Sequence, residues 1–281
     1  MSAVQPAFMG GVANGPRRTS VLEVPMLRLL TSFLVLLLLA QPAFAASGKA
    51  MGVDPAAKLE DKSGARTLVV GTDVFIGDRV VTDAKGLVQL LFSDKTKLVV
   101  GPRSALVIED YLLREDGSGG KFAINALSGT FRFVTGGAPK DRYLITTPTG
   151  TVGVRGTAFD LNVHPDHYSL LLFHGAVVMC NKADKCITVD DFCDVGMADL
   201  TDARLLGNTE DFVGAERTSM RGMFPWAVSE SDLMSPFWVA QARECLNRSV
   251  QPNDTDAGGA NPDGEPPRQT RPPGSDLTHV N

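Results

Sequence analysis

The amino-acid sequence predicts an all-β domain, a β-sandwich or β-roll of many short strands, with a small C-terminal helical extension and a disordered tail. Three observations favour this fold. Short apolar or alternating segments recur about every ten residues between residues 67 and 178, a spacing that a β-barrel would also show. Turn-forming sequences such as Gly77-Asp78 and Gly101-Pro102-Arg103 separate these segments. No long helical period interrupts them.

The N-terminal segment has the three parts of a secretory signal. An almost unbroken apolar run from Leu29 to Ala40 follows Arg28 and precedes Ala43-Phe44-Ala45, so we expect cleavage after Ala45. A run of about a dozen apolar residues is shorter than the roughly 20 that a membrane-spanning helix needs. A retained anchor is therefore the weaker alternative, and the mature chain is expected to have no stable membrane span. Translation from either Met1 or Met26 fits this signal.

The predicted strands of the central region have one buried face. Val88, Leu90 and Phe92 share one face, as do Phe159, Leu161 and Val163, while Gln89, Asp160 and Asn162 point the other way. Such alternation is typical of strands with one side on a core. A polar, glycine-rich loop at 116–120 divides the region. The predicted strands are residues 67–70, 74–76, 79–82, 87–92, 97–100, 105–108, 122–127, 130–134, 143–146, 158–163 and 169–178.

The densest motif runs from Ile145 to Phe159 and reads ITTPTGTVGVRGTAF. Its glycines permit turns or close backbone approach, and Arg155 offers five donors in a fixed geometry. Arg155 is expected either to clamp neighbouring carbonyls or carboxylates, the favoured alternative, or to contact a ligand or partner. The candidate binding residues of this region are Arg155, Thr157, Thr147 and Asp160.

The four cysteines all follow the predicted signal, where an oxidising compartment would pair them. Three pairings are open, and we favour Cys180 with Cys186 inside one hairpin and Cys193 with Cys245 across the C-terminal extension. The second bond would close a loop of about fifty residues, worth on the order of 4 kcal/mol in the chain-entropy model.

The remaining C-terminal sequence differs from the central region in composition and pattern. The acidic stretch from Asp190 to Asp202 is expected to form a loop and a short helix, and Ser235-Pro236 provides the cap and first turn of a helix near 236–247. Residues 249–281 are rich in proline and glycine and have almost no apolar side chains, so they are predicted to be disordered. The predicted divisions are 1–45 (extension and signal), 46–66 (linker), 67–180 (β domain), 181–248 (disulfide-linked extension) and 249–281 (tail).

The net charge of the mature chain argues against two classes of partner. Without residues 1–45 the chain has 24 basic and 31 acidic side chains, so the mature protein is acidic. A basic surface excess is the electrostatic signature of proteins that bind nucleic acid or anionic lipid. Nucleic acid and anionic lipid are therefore not expected partners.

The motif Thr147-Pro148 followed by Val154-Arg155-Gly156-Thr157 resembles the FecR domain. The resemblance extends to Gly77-Asp78 with Thr82, to 88–94, to Leu127-Ser128-Gly129 as a turn, and to Gly175 with Val177, and so covers residues 67–178. It implies a periplasmic β-domain that senses or binds a component of the cell envelope. Signalling regulators of this family carry an anti-sigma segment and a transmembrane helix, and the 28 residues before the apolar run are too few for such a segment.

The sequence therefore predicts a non-enzymatic, periplasmic binding or sensing module whose partner is an envelope protein or glycan. No catalytic residue, metal ligand set or cofactor motif is predicted, since the Gly150/Gly153/Gly156 spacing leads into a strand and not a helix. Two alternatives remain. One is a component of an envelope signalling pathway that acts through a membrane partner, and the other is an envelope hydrolase that uses Asp94, Glu109 or Asp160.

Overall fold

The computed structural model describes residues 46–247 except 56, 114–118 and 138–142. The predicted signal with its cleavage site at Ala45 and the predicted disordered tail lie outside the described residues. The described strands are β1 (Gly48–Val53), β2 (Ala57–Asp61), β3 (Gly64–Thr67), β4 (Asp73–Val74), β5 (Arg79–Thr82), β6 (Val88–Phe92), β7 (Lys97–Val100), β8 (Ala105–Leu113), β9 (Gly119–Val134), β10 (Tyr143–Thr146), β11 (Gly150–Val163), β12 (His167–Asn181), β13 (Cys186–Val189), β14 (Asp194–Asp199) and β15 (Ala203–Asn208). The helices are α1 (Gly214–Met223) and α2 (Ala242–Asn247), with 3₁₀ turns at Pro225–Ala227 and Ser235–Phe237.

All of these strands belong to one hydrogen-bonded sheet that doubles back on itself. The first half of β9 pairs with β8 and, in parallel, with β10, whereas its second half pairs with β7 and β11. The long strands β11 and β12 likewise run through both layers. The predicted all-β fold is confirmed, and the continuous folded-over sheet gives it the form of a roll.

The core between the two layers is apolar and aromatic. The Phe122 ring lies 4.8 Å from Phe92 and 5.6 Å from Phe133, and Phe133 stacks on Phe159 at 5.5 Å. These rings come from both layers and are at most 2% exposed. Edge-to-face and stacked aromatic pairs at such distances add stability beyond their buried area, so this cluster holds the layers together.

The bend of β11 and β12 lies at two glycines. Gly156 has φ +65° and Gly175 has φ +86°, and the pairing register of the two strands shifts between Arg155 and Ala158. A Cβ atom on Gly175 would lie 2.4 Å from the carbonyl oxygen of Gly156. A glycine is therefore required at position 175, where the two strands approach each other and change layer, and the positive φ of Gly156 in the Val-Arg-Gly-Thr motif also favours glycine.

Residues 46–66 were expected to form a linker, and this prediction is wrong. They contain β1, β2 and part of β3, and Ala50 and Leu59 are fully buried in the core. β1 pairs with β6, about forty residues further along the chain. Its buried positions are small residues, so the local hydrophobic pattern is weak and the distant pairing decides the structure.

The Ser128-Gly129 pair was expected to be a turn, but it lies inside the continuous strand β9. Gly129 has φ +105°, and a Cβ atom there would lie 2.1 Å from Ser104 Oγ. The glycine therefore bends the strand against its neighbour without ending it.

The acidic stretch from Asp190 to Asp202 was expected to form a loop and a short helix, but it forms β14 and the turn to β15. β14 pairs with the first half of β12, and its Val195 and Ala198 are fully buried. The aspartates lie mainly at strand ends, where Asp199 accepts hydrogen bonds from Thr201 and Asp202. Pairing with β12 overrides the weak helical pattern.

The predicted helix near 236–247 is divided. A 3₁₀ turn at Ser235–Phe237 is followed by an extended Trp238, and α2 begins only at Ala242. The Val239 N–H donates to the Glu230 carboxylate (2.8 Å), and the Trp238 indole N–H donates to the Leu233 carbonyl (2.8 Å). The Val239 bond takes the place of a helical backbone bond at this point, and the indole bond fixes the Trp238 side chain.

The structure forms both disulfides that the sequence favours. Cys180 pairs with Cys186 across the β12–β13 hairpin, and Cys193 pairs with Cys245, which joins the start of β14 to α2. The second bond fastens the segment 209–247, which we call the C-terminal extension, to the sheet.

We predict that Gly175→Ala lowers the free energy of unfolding by about 3 kcal/mol, because a side chain there meets both a positive φ and the Gly156 backbone. Gly153→Ala is the matched control, since the nearest atom to its added Cβ is 3.9 Å away, and it should change stability by less than about 1 kcal/mol. Urea unfolding of both variants measures the difference. Equal stability of the two would contradict the proposed role of the bend.

Candidate functional site

The bend gives the roll two outer faces with different surroundings. The outer side of the second halves of β9 and β11 lies beneath the C-terminal extension, and we call it the covered face. Its apolar contacts with the extension involve Ala158, Leu171, Phe173, Phe224, Ala227 and Val239. The outer side of β10, the first half of β11 and the second half of β12, which we call the open face, is partly exposed at Leu144, Thr146, Thr151, Gly153, Arg155, Ala176 and Val178.

Arg155 lies on the open face, opposite Ala176 of β12. Its neighbour Val154 points into the core, so strand alternation directs Arg155 outwards. The side chain is exposed, and with the described residues its guanidinium forms no hydrogen bond or ion pair. The structure therefore does not show the structural clamp that the sequence favoured, and it leaves these five donors available for contact.

Thr147 forms a turn and is not accessible. It is 2% exposed, its hydroxyl accepts from the Gly150 N–H (3.0 Å), and its own N–H donates to the Gly150 carbonyl (2.8 Å). The turn Thr147–Gly150 packs against the β12–β13 hairpin, where the Lys182 N–H donates to the Thr149 carbonyl (2.9 Å). Thr147 thus fixes the start of the strand that carries Arg155.

Thr157 is fully buried at the bend. Its N–H donates to Thr135 Oγ1 (3.0 Å), and its carbonyl accepts from the Thr135 N–H (3.0 Å). These bonds join β11 to the end of β9. The position of Thr157 supports the bend and excludes direct contact with a partner in this conformation.

Asp160 belongs to a buried charge cluster on the covered face. It accepts two bonds from Arg132, Nε to Oδ1 at 2.7 Å and Nη2 to Oδ2 at 3.0 Å. Arg132 Nη1 donates to Glu230 of the C-terminal extension, and the guanidinium lies 5.0 Å from the Phe173 ring and 5.9 Å from the Trp226 ring. The cluster connects the sheet to the extension and has no solvent access.

The cluster has strong electrostatic coupling. Burial alone would lower the pKa of Arg132, but the two carboxylates outweigh this effect and raise it. Burial raises the pKa of Asp160, and the neighbouring Arg132 charge opposes that rise. The bidentate geometry is that of a charge-assisted pair, and Arg132 is the cation that Asp160 and Glu230 share, with Arg243 Nε also 3.9 Å from Glu230 Oε2.

Sequence reasoning missed Arg132 and Glu230. Arg132 alternates with Phe131 and Phe133 on a predicted strand, which correctly predicts an outward side chain. No local pattern shows that a segment about a hundred residues later covers it. Glu230 lies among polar residues between the two 3₁₀ turns and has no signal of burial.

The carboxylates considered for hydrolysis have separate structural environments. Asp94 accepts from Thr96 Oγ1 (2.7 Å) and from the Tyr143 hydroxyl (2.8 Å) in a buried turn. Glu109 is exposed on β8, and Asp160 is bound to Arg132. The three side chains therefore lie in a buried turn, on a strand surface and in the charge cluster.

Among the described residues, no group of three or more His, Cys, Asp or Glu side chains could hold a metal ion. His164 and His167 stack with ring centroids 4.5 Å apart in the turn between β11 and β12, and His167 Nδ1 lies 2.8 Å from Asp166. In the part of the chain that the structure describes, no helix has the length and hydropathy needed to cross a membrane.

The structure is an all-β domain in which one face of the sheet is covered by the C-terminal extension and another is partly exposed. Residues 78–178 match the family model described as FecR protein, so this part of the chain is a FecR domain. The matched span includes Arg132, the Val-Arg-Gly-Thr motif and the bend.

Solved structures with local similarity include two of a proposed anti-sigma factor from Parabacteroides distasonis ATCC 8503, at 1.65 and 2.50 Å resolution. Each is 12% identical with a TM-score of 0.37, and the matches cover 46% and 51% of this chain and 59% and 63% of those chains. This chain thus spans less than two thirds of their length. A cell surface anchoring domain is 31% identical over 22% of this chain and 82% of that chain, with a TM-score of 0.21. No curated protein matches the sequence.

We predict that Asp160→Asn lowers the free energy of unfolding by about 3 kcal/mol or more, because it leaves Arg132 buried with one carboxylate partner fewer. The exposed pair of Lys49 and Asp73 (2.7 Å) provides the control, and Asp73→Asn should cost at most about 1 kcal/mol. Chemical denaturation of both variants measures these values. A similar small cost for both would show that the cluster does not hold the extension to the sheet.

Proposed function

We propose that the chain is an exported, non-enzymatic binding or sensing module of the cell envelope, and that it contacts an envelope protein or glycan through the open face. The observation that carries this proposal is Arg155, an exposed arginine of the family motif that forms no bond with the described residues. An exposed guanidinium on a strand, with no bond to the described residues, can donate its five N–H groups to a ligand or partner.

The surroundings of Arg155 suit contact with a partner. The half-exposed side chains Leu144, Ala176 and Val178 provide apolar area beside the guanidinium, and arginine beside apolar residues is typical of energetically important interface positions. The other candidate residues, Thr147, Thr157 and Asp160, support the strand and the bend. They fix the position of Arg155 and contribute no accessible groups.

The state of the carboxylates supports a non-enzymatic role. A general acid or base must reach the substrate, whereas Asp160 is fully buried and bidentate to Arg132. Asp94 is bound to Thr96 and Tyr143 within the described turn. These carboxylates serve the fold in this conformation.

Export to the periplasm is supported by two disulfides, since such bonds persist in oxidising compartments. The apolar run before Ala45 and the FecR domain agree with this location. A role in an envelope signalling pathway through a membrane partner is a second candidate, favoured by the FecR match. Identifying the partner that binds at the open face would distinguish the binding or sensing module from the signalling component.

We predict that a benzophenone amino acid placed at Thr188, which is exposed on β13 opposite Val178, forms light-dependent cross-links to the partner in intact cells. The same probe at Lys85, exposed in the turn between β5 and β6, serves as the control position. Arg155→Gln should reduce the Thr188 cross-link about tenfold, equivalent to about 1.4 kcal/mol, and leave stability unchanged within about 0.5 kcal/mol.

Arg103→Gln is the matched substitution, because Arg103 is exposed in the turn between β7 and β8. It should leave the cross-link intact. Equal cross-linking from Thr188 and Lys85, or equal loss in both arginine variants, would refute contact through the open face. Recovery of a membrane receptor or regulator at Thr188 would favour the signalling candidate.

A further inference from the structure

The two disulfides differ in accessibility. Cys193 and Cys245 are 3% and 1% exposed within the apolar contacts of the covered face. Cys186 is exposed, and Cys180 is half-buried near the end of the β12–β13 hairpin. A thiolate must reach a sulfur atom to exchange with it, and exposed disulfides are typically the labile or regulatory ones. The chain therefore has one protected disulfide and one that a reductant can reach.

The sequence between Cys180 and Cys186 favours exchange. The loop Asn181-Lys182-Ala183-Asp184-Lys185 has two cations and one anion, and residues 182–185 are all exposed. Neighbouring positive charge lowers the pKa of a thiol and makes its thiolate a better leaving group. The backbone of this loop is ordered by the Asn181 side chain, which accepts from the Ala183 and Lys185 N–H groups (2.9 and 3.0 Å).

The accessible disulfide is coupled to the strand of Arg155. Cys180 lies directly opposite Thr151, and Gly150 lies opposite Asn181. A Cβ atom on Gly150 would lie 1.9 Å from the Cys180 carbonyl oxygen, so the turn Thr147–Gly150 and the hairpin pack backbone to backbone. The Lys182 N–H bond to Thr149 joins them further. Loosening of the hairpin thus reaches the start of β11.

A buried contact limits how far this loosening extends. The Tyr168 hydroxyl lies 2.9 Å from the carbonyl oxygens of both Thr151 and Cys180, and Tyr168 is fully buried. This bond is independent of the disulfide and holds β11 beside β12. Reduction should therefore release the turn and the end of the hairpin while the roll remains folded.

We propose that the Cys180–Cys186 disulfide is a redox-sensitive control of the turn Thr147–Gly150, and so of the open face whose role in binding was proposed above. The reductant is a dithiol, such as an envelope thiol–disulfide oxidoreductase. Its thiolate attacks Cys186 Sγ, a mixed disulfide forms, and the electron pair of the broken bond leaves with Cys180 Sγ. The second thiolate of the reductant then attacks the reductant's first sulfur atom, which is bonded to Cys186 Sγ in the mixed disulfide, and releases the Cys186 thiolate. The reductant thereby becomes a disulfide, and two electrons and two protons pass to Cys180 and Cys186.

The first test measures which disulfide is reduced. The full oxidised chain is treated with dithiothreitol under native conditions, quenched by alkylation at successive times and analysed by peptide mass spectrometry. We expect Cys180 and Cys186 to be alkylated at least about tenfold faster than Cys193 and Cys245, because of their exposure. Equal rates for the two pairs, or faster reduction of Cys193–Cys245, would overturn the proposal.

The second test measures the effect on the turn by hydrogen exchange. We expect exchange at the Gly150 and Lys182 amides to rise about tenfold or more in the selectively reduced chain and in Cys180→Ser/Cys186→Ser, with little change in α1. Cys193→Ser/Cys245→Ser is the control and should increase exchange in the C-terminal extension instead. Unchanged protection of Gly150 and Lys182 after reduction would overturn the coupling. Both tests use the isolated chain, so their failure is distinct from failure of the Thr188 cross-link, which tests the open face as a binding surface.

Discussion

The close backbone approach of Gly156 and Gly175 is the constraint on which the arrangement of the molecule depends. These glycines allow β11 and β12 to leave one layer and enter the other, with a shift of register at the bend. Arg155 precedes the shift and lies on the open face, whereas Asp160 follows it and lies on the covered face. One short motif therefore supplies a surface residue and a buried ion pair on opposite sides of the roll.

The covered face contains a buried charge cluster beside its apolar contacts. Removing a charged group from water has a large desolvation cost, and the extension offsets it by supplying Glu230 to the Arg132–Asp160 pair. Glu230 in turn accepts from the Val239 N–H, which interrupts the last helical segment. The break before the last helix thus coincides with a backbone bond to the charge cluster, and the extension covers the sheet from outside the family span.

Arg132 and Arg155 show how much the sequence could predict. Alternation placed both side chains on the outer side of their strands, and most strand positions from 79 to 178 followed from the same pattern. Their surroundings differ because the C-terminal extension covers Arg132 and leaves Arg155 exposed. No local sequence pattern shows which strand face the extension covers. β1 and β14 were missed for a similar reason, since their partners lie far along the chain or their apolar residues are few. The cysteine pairing could be predicted because spacing limited the choices.

The Cys193–Cys245 bond determines how the molecule bears mechanical tension. A pulling force applied between the strands before Cys193 and the residues after Cys245 is transmitted through the two sulfur atoms, because the disulfide is the stiffest connection between Cys193 and Cys245. The intervening β14, β15, α1 and Glu230 then carry no load. A chain pulled at both ends would therefore not stretch the segment between Cys193 and Cys245 until this bond is reduced.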